Sequence, residues 1–173
     1  MRIEFLDKSK KKKILEHLNY LGLEKIEGLF LKSGSERIRI YSGDLSKEDI
    51  LIFYNLLPIE SVGLYFAKEI LDKRNGQKEI RLSLDGSHLL KEKIKNNIIS
   101  LDSEQEKKWF FGEDIDLNDE QVEFVKNFKE RFVIVQSKSS FDFIGTGKLS
   151  VSGIKIYNFL PKERRRKVAV IGN

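Results

Sequence analysis

Hydrophobic and polar positions change rhythm several times along the chain, and each change predicts an element. Ile14, Leu15, Leu18 and Leu21 recur at helical spacing behind a lysine-rich run over 8–13, and Gly22 follows as a C-cap. Two strands are predicted next, over 28–32 and 37–41, with Ser33, Gly34 and Ser35 as turn material between them. In the second, alternation puts Ile38 and Ile40 on one face and Arg37, Arg39 and Tyr41 on the other. Ser46 and Asp49 have the spacing of a capping box, so a helix is predicted over 50–57, stopped by Pro58. Strands over 61–71 and 78–84 then flank a basic turn containing Lys73, Arg74, Asn75 and Gly76.

Around residues 93–97 the character changes. A short strand is predicted over 96–101, followed by an aromatic knot (Trp109, Phe110, Phe111) before Gly112 and an acidic loop. Asn118 can cap a helix that carries Val122, Phe124, Val125 and Phe128. Short strand-like runs over 132–135, 141–148, 154–157 and 168–171 complete the chain. Closely spaced strands with glycine-rich turns point to a small barrel. The expected architecture is therefore α+β, with a mixed α/β domain over 1–95 and a small barrel-like domain over 96–173.

Composition narrows the possibilities. The 173 residues are 40% hydrophobic, enough for real cores, and 34% charged, against roughly 25% in soluble proteins generally. The absence of cysteine excludes disulfides and thiolate metal sites. No apolar run approaches the roughly 18 residues of a membrane span, and the first residues lack the apolar core of a signal peptide. A soluble, cytoplasmic protein without membrane contact is expected.

The net charge of +5 hides a polarised distribution. From Phe124 onward there are 11 Lys and Arg against 3 Asp and Glu, whereas residues 101–123 hold 2 against 9. A β-rich domain with one positive end calls for a polyanion, most simply nucleic acid. The densest cations are Lys162, Arg164, Arg165, Arg166 and Lys167, which repel one another unless a partner or salt neutralises them. With Lys148 and Lys155 they form the expected RNA-contact surface, acting chiefly on phosphates, while Tyr157 and Phe159 offer rings for base stacking where they are exposed. A solvated basic turn is the plainer alternative. The lysines over 8–13 pose the same choice, because cations in a first helical turn oppose the helix dipole and do not serve helix stability.

Other motifs lead away from catalysis. Gly145, Thr146, Gly147 and Lys148 invite comparison with a phosphate loop, but Asp142 and Leu149 stand where that motif needs Gly and Ser or Thr. A close backbone approach within a strand explains these glycines better. His17 and His88, the latter assigned to a turn, are far apart in sequence and define no metal site. The acidic set Glu113, Asp114, Asp116, Asp119 and Glu120 lacks the glycine and terminal glutamate of a calcium loop and reads as solvated. No cofactor is expected.

Phe111 to Ile115, the strand over 132–135 and the run from Ile144 to Ser150 together resemble a PUA domain, the module named for pseudouridine synthases and archaeosine transglycosylases. Upstream, residues 62–68, the basic turn and residues 79–84 resemble the pre-PUA domain of Nip-seven-like ribosome-biogenesis proteins, of archaeal type. The resemblance runs through nearly the whole chain in the same order. It implies a pre-PUA-like α/β domain, a C-terminal PUA-type pseudo-barrel that binds RNA (rRNA or pre-rRNA above all), and no catalytic activity. It also implies contacts between the N-terminal half and ribosome-assembly or RNA-processing proteins. Two other roles stay open: a protein-interaction adaptor, and a targeting subunit for an RNA-modifying enzyme.

Overall fold

The computed structural model describes residues 3–71 and 76–167, which fall into two compact units, Met1–Leu89 and Leu90–Asn173. The basic turn at Lys73 and Arg74 and the strand expected over 168–171 lie outside the described residues.

The N-terminal unit is built on an antiparallel meander: β1 (Ile3–Phe5), β2 (Leu29–Ser33), β3 (Arg37–Tyr41), β4 (Leu64–Leu71) and β5 (Lys78–Leu82), neighbours in chain order. Helix α1 (Lys8–Leu18) starts at Asp7, whose carboxylate accepts from the Lys10 amide at 2.8 Å. A 3-10 turn extends it through Asn19–Leu21, and Gly22 ends it in the left-handed region at φ 81°. Ile14, Leu18 and Leu21 bury the face that the spacing foretold, and Ile38 and Ile40 of β3 meet the same core. Phe30 and Phe66 pack edge to face there, with ring centroids 5.6 Å apart.

Helix α2 (Lys47–Leu56) carries the full capping box, Ser46 and Asp49 bonding each other's backbone amides. Helix α3 (Leu84–Leu89) replaces the turn expected around His88. Gly86 is what misleads: it reads as turn material, yet here it lets the helix lie on β4, where a Cβ would come within 2.2 Å of the Phe66 carbonyl oxygen.

In the C-terminal unit the strands are β6 (Ile98–Leu101), β7 (Ile115–Asp116), β8 (Phe132–Ser137), β9 (Phe143–Leu149) and β10 (Lys155–Asn158), in the spatial order β6-β8-β9-β10-β7. Among the described strands of this sheet, only β6 joins in parallel, beside β8. Asn97 positions it: with φ 55° it turns the chain, and its amide donates to the carbonyls of Glu130 and Phe132. Helices α4 (Ser103–Phe111) and α5 (Asp119–Val125) start at Asp102 and Asn118, each closed by a capping box with a glutamine, Gln105 and Gln121. These two glutamines bond each other at 2.8 Å and tie the two helix starts together. The aromatic knot is thus the last turn of a helix, and the acidic stretch is largely strand and helix start rather than loop.

Candidate nucleic-acid interface

Trp109 organises the C-terminal unit. It is fully buried, and its indole nitrogen donates to the Ile144 carbonyl at 3.0 Å. The ring packs against β9 where Gly145 leaves room, since a Cβ there would fall 2.5 Å from the indole; one on Gly147 would fall 2.4 Å from Ile156. The two glycines therefore mark a close approach within the strand, as the failed phosphate-loop comparison implied. Residues alternate along β9, so Lys148 projects from the face opposite Gly147.

Helix α4 ends at Gly112, with φ 84°, and its terminal carbonyls receive the Gly112 and Glu113 amides. Asn158, at the end of β10, clamps this corner. Its amide nitrogen donates to the carbonyls of Trp109 and Glu113, and its backbone amide donates to Asp114. The chain then turns through Pro161 into a 3-10 turn, Lys162–Arg164, and passes the end of α4.

The expected contact residues separate into groups. Arg165 is half-buried: its Nε donates to the Leu160 carbonyl at 3.0 Å, and its stem occupies the space beside Gly112, where a Cβ would meet Cδ at 2.5 Å. Arg166 donates its backbone amide to the Phe110 carbonyl at 2.7 Å and sets its guanidinium over the Phe110 ring at 5.1 Å. Both sit at the C-terminal end of a helix, where the dipole favours cations. Lys162, Arg164 and Lys167 are exposed.

A second group lies on the other face of β9 and β10. Lys148 stands opposite Tyr157 across the strand pair and places its ammonium 4.6 Å from the centre of the Phe132 ring. Lys155 is paired with Asp116 at 3.3 Å. Tyr157 is exposed, whereas Phe159 is half-buried near Phe132 at 6.5 Å between ring centroids. Of the two rings considered for stacking, Tyr157 is the accessible one. Lys148 and Lys155 thus stand on strands of the sheet, whereas Arg165 and Arg166, at the turn that follows β10, are fastened to the end of α4.

A third basic feature went unnoticed in the sequence. Between the end of α5 and the β9–β10 connection lies a cleft of about 290 Å³ whose walls include Lys126, Lys129 and Arg131. Arg131 is held by the Leu149 carbonyl at 2.8 Å, and Lys126 pairs with Glu123, while Lys129 is exposed. Only the count of cations after Phe124 hinted at it; no local motif singles these residues out.

In the N-terminal unit, Arg39 serves the fold. It bonds the Val62 and Gly63 carbonyls at 2.9 and 2.7 Å, and burial, followed by the nearby Arg37 charge, pulls its guanidinium below the usual arginine value. Arg37 lies over Tyr65 at 5.8 Å. Among the α1 lysines, Lys10 pairs with Glu4 and Lys12 with Glu16, and Lys11 covers the Phe30 ring at 4.8 Å. No helix among the described residues is long and apolar enough to cross a membrane.

This arrangement is similar to that of a solved structure, a conserved PUA domain protein from Thermoplasma acidophilum, with a TM-score of 0.54 over 94% of this chain and 97% of that one. Sequence identity is 14%, so the likeness defines a PUA-like fold and nothing finer. No family model and no curated protein matches the chain.

Proposed function

We propose that the chain is a non-catalytic RNA-binding protein that acts in large-subunit ribosome biogenesis or rRNA processing. The observation that carries this reading is the basic end of a PUA-like unit, where exposed Lys162, Arg164 and Lys167 project from a turn that Arg165 and Arg166 fasten to α4. A fixed turn carrying cations meets phosphates without first being ordered, which lowers the entropic cost of binding. The resemblance to Nip-seven-like proteins supports the ribosomal assignment. Affinity capture of the full chain from its own cells, with sequencing of co-purified RNA, tests it. Enrichment of rRNA precursors is expected; recovery without RNA refutes it, and co-purification of an RNA-modifying enzyme in equal amount would favour a targeting subunit instead.

A protein-adaptor role is favoured by a separate observation. Helix α2 buries Ile50 but leaves Leu51, Ile52, Phe53 and Leu56 exposed, Leu56 at 73%, with Leu45 and Leu57 beside them. Contiguous apolar exposure of this kind marks a docking face. Within residues 44–60 the chain carries Asp44, Glu48, Asp49 and Glu60 against one lysine, Lys47, so the fitting occupant is a basic, apolar protein surface; a second copy would bring like charges together. A synthetic Leu/Arg amphipathic helix should bind the chain and lose affinity with Leu56→Lys. Equal binding of a Leu/Glu helix, or concentration-dependent dimerisation in sedimentation, refutes this occupant.

A further inference from the structure

The N-terminal unit contains a groove of about 580 Å³ between α1 and the sheet. Its floor is aliphatic, formed by Leu6, Ile14, Ile38 and Ile80. Its rim is charged, and the charges do not cancel. Glu4 answers Lys10, and Glu69 is shared between Lys78 at 2.7 Å and Lys32 at 3.1 Å. Lys13 has no acidic partner among the described residues. Four lysines thus face two carboxylates, leaving two positive charges over an apolar floor. Lys13 and His17 stand one turn apart on α1, so both reach the same opening.

We infer that this groove binds a phosphate monoester carried on a nucleoside-sized body. A phosphate monoester brings close to two negative charges at neutral pH and three acceptor oxygens, which match the uncompensated lysine charge and the donors of Lys13 and His17. A carboxylate brings one charge only. The volume lies within the range of about 300–1,000 Å³ usual for small-molecule sites, and the aliphatic floor can cover the flat body of a base. Two sources offer this chemistry, a free mononucleotide and the phosphorylated end of an RNA strand. The site lies in the N-terminal unit and does not depend on the basic turn at Lys162–Lys167.

The test is a backbone-amide NMR titration of the full chain with uridine monophosphate, uridine, inorganic phosphate, and a short oligouridylate with and without a 5′-phosphate. Uridine monophosphate should produce saturable shifts at Lys13, Ile14, His17 and Ile80, and uridine should not. Lys13→Glu, an exposed change that spares the fold, should weaken binding about tenfold or more, as a charge reversal at a direct contact does. The variant with Lys162, Arg164 and Lys167 replaced by Ala should retain these shifts, which separates this site from the RNA reading of the other unit. A phosphorylated oligonucleotide acting at lower concentration than the mononucleotide assigns the groove to an RNA end; the reverse order assigns it to a free nucleotide. The inference is overturned if uridine binds equally well, if inorganic phosphate alone matches the mononucleotide, or if Lys13→Glu changes nothing.

Discussion

Replacing Lys162, Arg164 and Lys167 together by Ala separates binding from folding at the basic end. All three are exposed, and surface substitutions of this kind usually stay within about 0.5 kcal/mol each, so the variant should unfold nearly as the parent does. If each cation meets one phosphate of a single strand, the slope of log affinity against log salt should fall by roughly 0.7 per cation, about two units in all. Counterion release loses its advantage near 1 M salt, so a two-unit change in slope means about a hundredfold weaker binding near 0.1 M. The loss should be similar for RNAs of different sequence, because phosphate contacts position the strand without reading bases. Arg165→Ala makes the contrast. It removes the bond to the Leu160 carbonyl and the cover over Gly112. A bond from a charged donor is worth about 1.5–3 kcal/mol, reduced here to about 1 kcal/mol by partial exposure, so stability should drop while the salt slope changes by only about 0.7. A filter-binding salt titration, with urea unfolding of each variant, reads both quantities. An unchanged slope in the well-folded triple variant would refute the assignment and move the RNA surface to Lys148 and Lys155 or to the cleft at Lys129.

Other substitutions probe the framework beneath that surface. Gly147→Ala should destabilise by about 1–3 kcal/mol, because its Cβ would press on Ile156 and on the backbone of Tyr157; urea unfolding followed by Trp109 fluorescence reads it, and a neutral result would mean the Ile156 side chain and the β10 backbone can shift. Asn118→Ala should cost about 1 kcal/mol by removing the cap of α5, with a visible loss of amide protection at Gln121 in hydrogen exchange. Glu69 gives a pH test: burial raises its carboxyl, but hydrogen bonds from Lys78 and Lys32 outweigh this and hold it below the usual glutamate value. Its stabilising effect is present above the unfolded value of about 4.3 and is lost as pH falls through the folded one, so the stability gap between the parent and Glu69→Gln should shrink on acidification below about pH 4.

The elements that the sequence made legible are those whose signals are local. The capping pair Ser46 and Asp49, the alternation in β3 and the cap at Asn118 all act within a few residues, and each appears where the pattern placed it. Helix α3 was hidden because its glycine is required by a contact with Phe66 of β4, twenty residues upstream. Helix α4 was hidden because Trp109 and the phenylalanines after it read as a hydrophobic knot, while its start at Asp102 has no strong apolar period behind it. The grouping of the basic residues was illegible for a different reason. Which face of β9 carries Lys148, and which end of α4 receives Arg165, depends on pairings between segments far apart in the chain.

The charge split that pointed to a polyanion has two causes of different kind. The acidic half is largely explained by local structure. Asp102 caps α4, Glu104 and Glu106 lie in its first turn, and Asp119 and Glu120 lie in the first turn of α5, where carboxylates complement the helix dipole. Asp114 accepts from the Asn158 amide, Asp116 pairs with Lys155, and Glu123 pairs with Lys126. These carboxylates need no outside partner. The basic half resists the same treatment. Arg165 and Arg166 are placed by the end of α4, but Lys129, Lys138, Lys162 and Lys167 are exposed without an acidic partner among the described residues. Polarity of charge alone would fit an internal division of labour between capping and solvation. What favours a polyanion is that these exposed lysines keep no acidic partner among the described residues, and that Lys162 and Lys167 flank a turn fastened to the end of α4.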